Sequence, residues 1–472
     1  MNPLRPIGRW LDRRLGLSDI SRHTLEHPIP RENTGRKGWL YVLGAATLTA
    51  FIVQVVTGVA LATTYIAAPQ HAYDSLVTLT AHPIGALLRG MHYYGASAMV
   101  LLIFAHMTRV FLMGSYKYPR EVNWMTGAIL LGLTLAMAGT GQLLRWNEDG
   151  VWTVVVWAKF AERMPFIGEY AARFILGGDT LSASTLTRFF ALHVFVFPAL
   201  IIGFVVVHLY LVLRQGISEP PVPGERVERG TYDRRYDALL RRGRPYFPFG
   251  TWREAVTAAA LVAVIVALAI VVGPVPPGEP PNPTSVQADP KPDWFYLWYY
   301  TLVWLKPPAL ETLVMIVLPL GVGVVLFLIP LLFPTGERSP SRRPWAIVTV
   351  GAVVLTFAVL TAYGVNPYWV PDFDTPAVSA AALGVADDSD VAHGARIFHD
   401  RRCQSCHRVL DAGGRYGPDL TDVSLRLSRE ETAVRIVAGY RDMPAYRDTI
   451  DARELDALMA FLWATAERVK AP

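Results

Sequence analysis

The sequence predicts an all-α fold: a polytopic membrane protein of seven transmembrane helices, a four-helix bundle plus a three-helix extension, followed by a small soluble α-helical domain. Three observations lead there. Of the 472 residues, 52% are hydrophobic, and the mean hydropathy is positive, which suits a multi-span protein better than a soluble one. Apolar runs long enough to cross a bilayer lie near 39–67, 92–113, 124–145, 189–213, 254–273, 309–333 and 345–364, here labelled spans A to G. Beyond them the composition changes. A Pro/Ala/Asp-rich stretch, 366–390, reads as a linker, and 391–472 is charged enough to be soluble. The expected parts are therefore 1–220 (bundle), 221–365 (extension), linker and soluble domain.

Charge orients the spans. The net charge is +5, and the basic residues gather between Arg109 and Arg120, between Arg214 and Arg253, and between Arg338 and Arg343. These are the B–C, D–E and F–G loops. The positive-inside rule puts them and the N-terminus on the cytoplasmic side of a bacterial inner membrane, so span G exits outside. With that explanation in hand, no nucleic-acid surface is expected. The first twenty residues have no uninterrupted apolar region and do not form a signal peptide. Trp10, Leu11, Leu15 and Leu17 among arginines suggest an amphipathic helix on the inner membrane surface, the alternative being a disordered tail. The outer segments 68–91, 146–188 and 274–308 are long, and two are rich in Trp and Tyr, as at an interface or a site. Only two cysteines occur, Cys403 and Cys406, which excludes a disulfide framework and a four-cysteine iron–sulfur cluster.

Histidine placement points to the chemistry. Span B carries His92 and His106, fourteen residues apart; span D carries His193 and His208, fifteen apart. These spacings are about 3.9 and 4.2 helical turns, so each pair stays near one face, separated by roughly 21–22 Å along the axis. Both spans run from outside to inside, so His92 meets His193 near the outer surface and His106 meets His208 near the inner one. Each pair is suited to clamp a b-type haem iron non-covalently through two imidazoles, which fills both axial positions and fits electron transfer. Glycines keep the same register: Gly44 and Gly58 on span A, Gly127 and Gly141 on span C. A planar macrocycle between four helices needs backbone without side chains beside it. A single such glycine would mean only close helix packing, and a single membrane histidine an interhelical hydrogen bond; eight residues in one register mean more.

The strings LGAATLTAFIVQVVTG (43–58), YKYPREVNWMTG (116–127), STLTRFFALHVFVFP (184–198) and RQGIS (214–218) resemble cytochrome b of the cytochrome bc complexes, over roughly residues 8–365. Seven spans and the fifteen-residue interval are similar to the chloroplast-type branch, with cytochrome b and a three-span subunit IV joined in one chain. The resemblance implies a quinol-oxidising site at the Pro-Glu-Trp-Tyr motif, which here reads Pro292, Asp293, Trp294, Phe295. Asp293 is the expected proton acceptor, with Trp294 and Pro292 beside it and Tyr296 as the substitute for the missing phenol. In isolation Asp293 would read as a helix cap or a solvated loop carboxylate. At the inner side the resemblance implies a quinone site with Arg214 and Glu254, which alone would read as positive-inside and helix-start residues. Arg89 and Arg109, each close to a ligand histidine, are haem-propionate partners or plain interfacial anchors. Arg145 stands where the family has proline; it is a further propionate partner or an interfacial anchor. The branch's extra covalent haem is held by a cysteine where this chain has Val42, so no covalent extra haem is expected.

The tail contains CQSCH (403–407), the c-type haem attachment pattern. No second Cys/His pair completes a zinc site. With GPDL (417–420), RDMPAY (441–446) and a final apolar helix, the order looks like a small class I cytochrome c. Cys403 and Cys406 would form the thioethers, His407 the proximal ligand and Met443 the distal one. Met459 sits in an apolar stripe with Leu455, Leu458 and Leu462 and reads as core. Span G delivers this domain to the outer side, where such haems are attached.

Together these features imply a cytochrome b/c fusion subunit of a proton-translocating quinol:cytochrome c oxidoreductase. Quinol would deliver one electron to a separate Rieske iron–sulfur protein and haem c, the other to the two b haems. A homodimer and a downstream cytochrome c or terminal oxidase are implied partners. Two other readings remain: a non-bifurcating dihaem anchor for a dehydrogenase or reductase, and a membrane tether for a cytochrome c. Spans E to G with PDWF speak against the first; intact histidines speak against the second.

Overall fold

A computed structural model describes residues 10, 12–14, 16–282, 291–365, 367, 372, 375–440 and 443–470. Leu11 and Leu15 of the expected surface helix therefore lie outside the described residues, as do 366, 368–371, 373 and 374 of the expected linker. The chain forms two compact units, one holding the long helices up to Thr361 near the end of the seventh and the other running from Ala362 onward.

Among the described residues, seven helices are long and apolar enough to cross a membrane: Arg36–Ala62, Pro83–Leu112, Glu121–Leu143, Ala183–Gln215, Thr251–Val271, Leu313–Leu332 and Pro344–Val365. They are spans A to G, and the protein is an all-α multi-pass membrane protein. Span B begins earlier than its hydropathy suggests because Pro83 occupies the first turn, where its missing N–H costs nothing. Span D begins early for a similar reason: Ser182 and Thr185 form a capping box at its start. Span A packs on B and C on D, with E against A and B and F against C. Small residues allow the close approaches; the position a Cβ would take on Gly90 of span B lies 3.0 Å from the Ala269 Cβ of span E.

The basic loops also serve the helix ends. Helix ends leave carbonyls without partners, and neighbouring cations satisfy them. Arg343 donates to the carbonyls of Phe111 and Leu112 at the end of span B. Arg120 donates to those of Gln215 and Gly216 after span D, and Lys117 to those of Phe333 and Thr335 after span F. Glu219 balances part of this charge. It pairs with Arg338 at 2.6 Å and accepts from the Tyr232 hydroxyl, both groups being buried. Arg338 and Arg120 hold its carboxyl below the ordinary range despite burial, which pushes the other way. Losing either member of the Glu219–Arg338 pair would strand a buried charge at about 3–5 kcal/mol.

The second unit packs helix Asp390–Asp400 on helix Ala452–Lys470, with Phe398, Leu458, Met459 and Phe461 at the centre. Met459 is thus a core residue. The stretch expected as a linker contributes to this core: Val378 and Leu383 are buried in it, and the Asp372 N–H donates to the Ser405 carbonyl. Their apolar side chains are too few and too widely spaced to mark that role in sequence.

Candidate functional site

The bundle brings the four histidines together in the pairs their spacing suggests. The rings of His92 and His193 lie 6.3 Å apart, centre to centre, at an interplanar angle of 74°. Two imidazoles whose nitrogens each sit about 2 Å from one metal have ring centres about 6 Å apart, so this spacing would suit one metal ion held between the two rings. His106 and His208 form the second pair, close enough to interact electrostatically.

The unequal spacings have a structural cause. Span D contains a π-helical turn at Leu192–Val196, which includes His193. Such a turn absorbs one extra residue, so the fifteen residues of span D keep the register of the fourteen in span B.

Each glycine faces a histidine across a helix pair. A Cβ on Gly58 would lie 3.2 Å from His92 Cε1, on Gly141 2.6 Å from His193 Cε1, on Gly44 3.3 Å from His106 Cε1, and on Gly127 3.6 Å from His208 Cε1. The glycines, expected to clear space for a macrocycle, leave the room that the imidazoles themselves need. Sequence reasoning also missed three threonines that precede them. Thr57 Oγ1 lies 2.9 Å from His92 Nδ1, Thr126 Oγ1 2.9 Å from His208 Nδ1, and Thr140 Oγ1 3.1 Å from His193 Nδ1. Each hydroxyl donates its own proton to a carbonyl one turn back, on Val53, Asn123 and Met137. It can therefore only accept from the ring, which places the imidazole proton on Nδ1 and leaves Nε2 with a bare lone pair. The recurring Thr-Gly dipeptide at 57–58, 126–127 and 140–141 was the available signal.

Basic groups lie near both pairs. Arg89 and Arg145 line the large, mainly apolar cavity that contains His92 and His193. Arg109, over the Tyr41 ring at 3.7 Å, has Nε and Nη2 buried without a hydrogen-bond partner. Unmatched buried donors of this kind suit an anionic carboxylate, so the residues present fit a haem with its propionates.

Asp293 also lines the outer cavity, its carboxylate 3.6 Å from Arg145 Nη2. Burial pushes its carboxyl above the ordinary range, and Arg145 pulls it partly back. Trp294 donates to Ser97 Oγ at 3.2 Å. Tyr296 does not supply a free phenol. Its hydroxyl donates to the Leu135 carbonyl of span C, so the proton it would offer is already engaged. Pro292 lies between Lys291 and Asp293 in the short segment that reaches this cavity.

The inner pair of expected quinone residues is not brought together. Glu254 lines a small cavity with Asn33, Tyr41, Val42 and Arg253, and accepts from the Tyr246 hydroxyl. Arg214 is exposed and donates to the Tyr210 hydroxyl at 3.2 Å. The guanidinium in the cavity belongs to Arg253, because the turn that starts span E points that side chain inward to the Thr34 carbonyl.

In the second unit, Cys403 and Cys406 lie on one helical turn, Cys403–Cys406, followed directly by His407. Burial pushes the Cys403 thiol up to about 12. His407 Nδ1 donates to the Pro418 carbonyl at 2.8 Å, and Gly417 lies against the ring. Again Nε2 keeps its lone pair, and burial favours the neutral ring. Met443 packs against the core of this unit and bridges to Tyr440.

Comparison with known proteins matches residues 34–216 to the family described as cytochrome b/b6/petB, 280–379 to cytochrome b(C-terminal)/b6/petD, and 389–462 to cytochrome C oxidase, cbb3-type, subunit III. Cytochrome b6 of Heliobacterium mobile is 40% identical over 213 residues, 45% of this chain and 99% of the relative. The menaquinol:cytochrome c reductase cytochrome b subunit of Bacillus subtilis (strain 168) is 35% identical over 222 residues, 46% of this chain and 99% of the relative. A solved structure titled hyperthermophilic respiratory Complex III is similar with a TM-score of 0.65 and 26% identity, covering 76% of this chain and 91% of its own.

Proposed function

The chain belongs to the cytochrome b/b6 family, and from that premise we propose that it is a cytochrome b/c fusion subunit of a quinol:cytochrome c oxidoreductase. The observation that carries the proposal is the His92–His193 pair at 6.3 Å with both Nδ1 protons engaged, that of His92 by Thr57 and that of His193 by Thr140 and the Met137 carbonyl. His92 with His193, and His106 with His208, would hold two b-type haems, with Arg89 and Arg109 toward their propionates. Cys403, Cys406, His407 and Met443 would hold one c-type haem. When bound, these groups supply one-electron carriage, which lets the two electrons of a quinol part, one toward a separate Rieske protein and haem c and one across the membrane.

The chain's own residues handle protons. Asp293 accepts a quinol proton in the outer cavity, within reach of Arg145, which stabilises the carboxylate before the transfer. Trp294 pins the loop to span B through Ser97. At the inner side Glu254 with Tyr246 and Arg253 forms the quinone-facing group; valine at position 42 offers no thiol for a further covalent haem. Cations collected at the ends of spans B, D and F support a cytoplasmic position for those ends, with seven crossings carrying the cytochrome c unit outside. A homodimer completes the proposal.

Pyridine haemochrome analysis of the purified complex should give two b haems per c haem, whereas a c-only spectrum would leave a mere tether. Addition of oxidant with an inner-site inhibitor should transiently reduce the b haems. Absence of that reduction would instead fit a dihaem anchor that does not divide electrons.

A further inference from the structure

We propose that Gln142 is a positioning residue for quinol oxidation, holding the Asp293 segment against the outer histidine pair so that acid and haem seat form one rigid body. This rests on the reading of Asp293 as the proton acceptor. Gln142 is 3% exposed, at the end of span C. Its Oε1 accepts the Asp293 N–H at 3.1 Å, and its Nε2 donates to the Lys291 carbonyl at 3.2 Å. Pro292 between them has no N–H to offer, so the Asp293 N–H is the one donor of this stretch, and the Lys291 carbonyl beside it is an acceptor. A side-chain amide is the group that matches both at once.

The neighbours of Gln142 complete the linkage. Gly141 lies against His193, and Thr140 Oγ1 accepts from its Nδ1. Three residues further on, Arg145 faces the Asp293 carboxylate. Four positions of one helix end thus contact the histidine, the backbone around the acid and the acid itself. Gln142, Asp293, Arg145, His92 and His193 line the same cavity. A base must stand within hydrogen-bond reach of the proton it takes, and a misplacement of about 1 Å can cost about a hundredfold in rate. Gln142 acts on the acid through its backbone and is given no proton to carry.

The test compares Gln142→Met, Gln142→Glu and Asp293→Asn in the whole complex in native membranes. Gln142→Met removes both bonds; Gln142→Glu keeps the acceptor for the Asp293 N–H and loses the donor. Kinetic constants per b haem and the low-spin spectrum of the outer haem are measured with and without quinone. Expected are unchanged haem content, a quinol KM within about twofold, and kcat reduced about ten- to a hundredfold in Gln142→Met, with Gln142→Glu also slowed. The outer-haem spectrum should lose its response to quinone. Wild-type kcat in both glutamine variants beside an inactive Asp293→Asn overturns this inference alone. Activity that falls only in step with haem content, or a change confined to KM, overturns it too. Should Gln142→Met not assemble, Gln142→Glu decides by the same kcat. An active Asp293→Asn sinks the reading of the acid, whatever the glutamine variants do.

Discussion

The outer and inner histidine pairs share spans B and D, yet they are built differently. In the outer pair the His92 Nδ1 proton goes to Thr57 and the His193 Nδ1 proton is shared by Thr140 Oγ1 and the Met137 carbonyl at 3.0 Å, and the glycines opposite leave Cβ clearances of 3.2 and 2.6 Å. In the inner pair Thr126 serves His208, but Leu43 stands where the matching threonine would precede Gly44. Among the described residues no hydrogen bond reaches the His106 ring, and the clearances are 3.3 and 3.6 Å. The outer seat is therefore oriented by the protein in advance. The inner seat depends more on the group it would hold and on the two unmatched guanidinium nitrogens of Arg109. Asp293, the proposed proton acceptor, lies beside the pre-oriented pair, where positional error would be least tolerable.

Substituting alanine at equivalent glycines tests this most severely. At Gly141 the new Cβ would stand 2.6 Å from His193 Cε1, too close for any relaxed contact, so the ring or span C must move. Gly141→Ala should lose the outer haem outright, reducing the haemochrome ratio from two b per c to one. Gly127→Ala meets His208 at an ordinary 3.6 Å and should retain both. Equal loss in the two variants would remove the distinction between the seats.

Much of this was legible in the sequence, and the exceptions share a cause. Seven spans, the histidine register and CQSCH depend on local period and composition, which a chain displays openly. The role of the Thr-Gly dipeptides depends on which helix faces which, so Thr57 and Thr140 looked like ordinary small residues. The π-turn at His193 leaves no mark in hydropathy; the fifteen-residue interval was its trace. Arg214 and Glu254 flank one loop in sequence, but only folding shows that Arg253 turns inward and Arg214 outward. Likewise the cations of the B–C and F–G loops, read in sequence as topological signals, cap helix carbonyls, a purpose that requires knowing which ends meet.

The acid beside the outer pair gives a pH signature that the inner pair lacks. Burial raises the Asp293 carboxyl and Arg145 lowers it. Below its titration point the group is protonated and takes no proton, so quinol oxidation should fall as pH drops through it. Arg145→Leu removes the lowering influence, and the acid limb of kcat against pH should move to higher pH, with a several-fold lower rate at the acid end. Electron equilibration between the two b haems should keep its own pH dependence. A limb that stays in place would mean that another group limits the acid side.

The smallest effect should come from supplying what the inner seat lacks. Leu43→Thr places a hydroxyl one residue before Gly44, where Thr57 stands relative to Gly58. If it donates to the carbonyl one turn back, as Thr57 does to Val53, its remaining lone pairs can accept from His106 Nδ1. A ligand whose second nitrogen is so engaged is more basic and better oriented. It favours the ferric state, so the inner haem's midpoint potential should fall slightly while its rate of loss in mild denaturant slows by about two- to threefold, below the tenfold or more that deleting such a partner costs. Thr126→Val should move both quantities the opposite way through His208. If Leu43→Thr leaves them unchanged while Thr126→Val shifts them, the His106 ring takes its orientation from the iron alone, and the two seats differ in kind as well as in tightness.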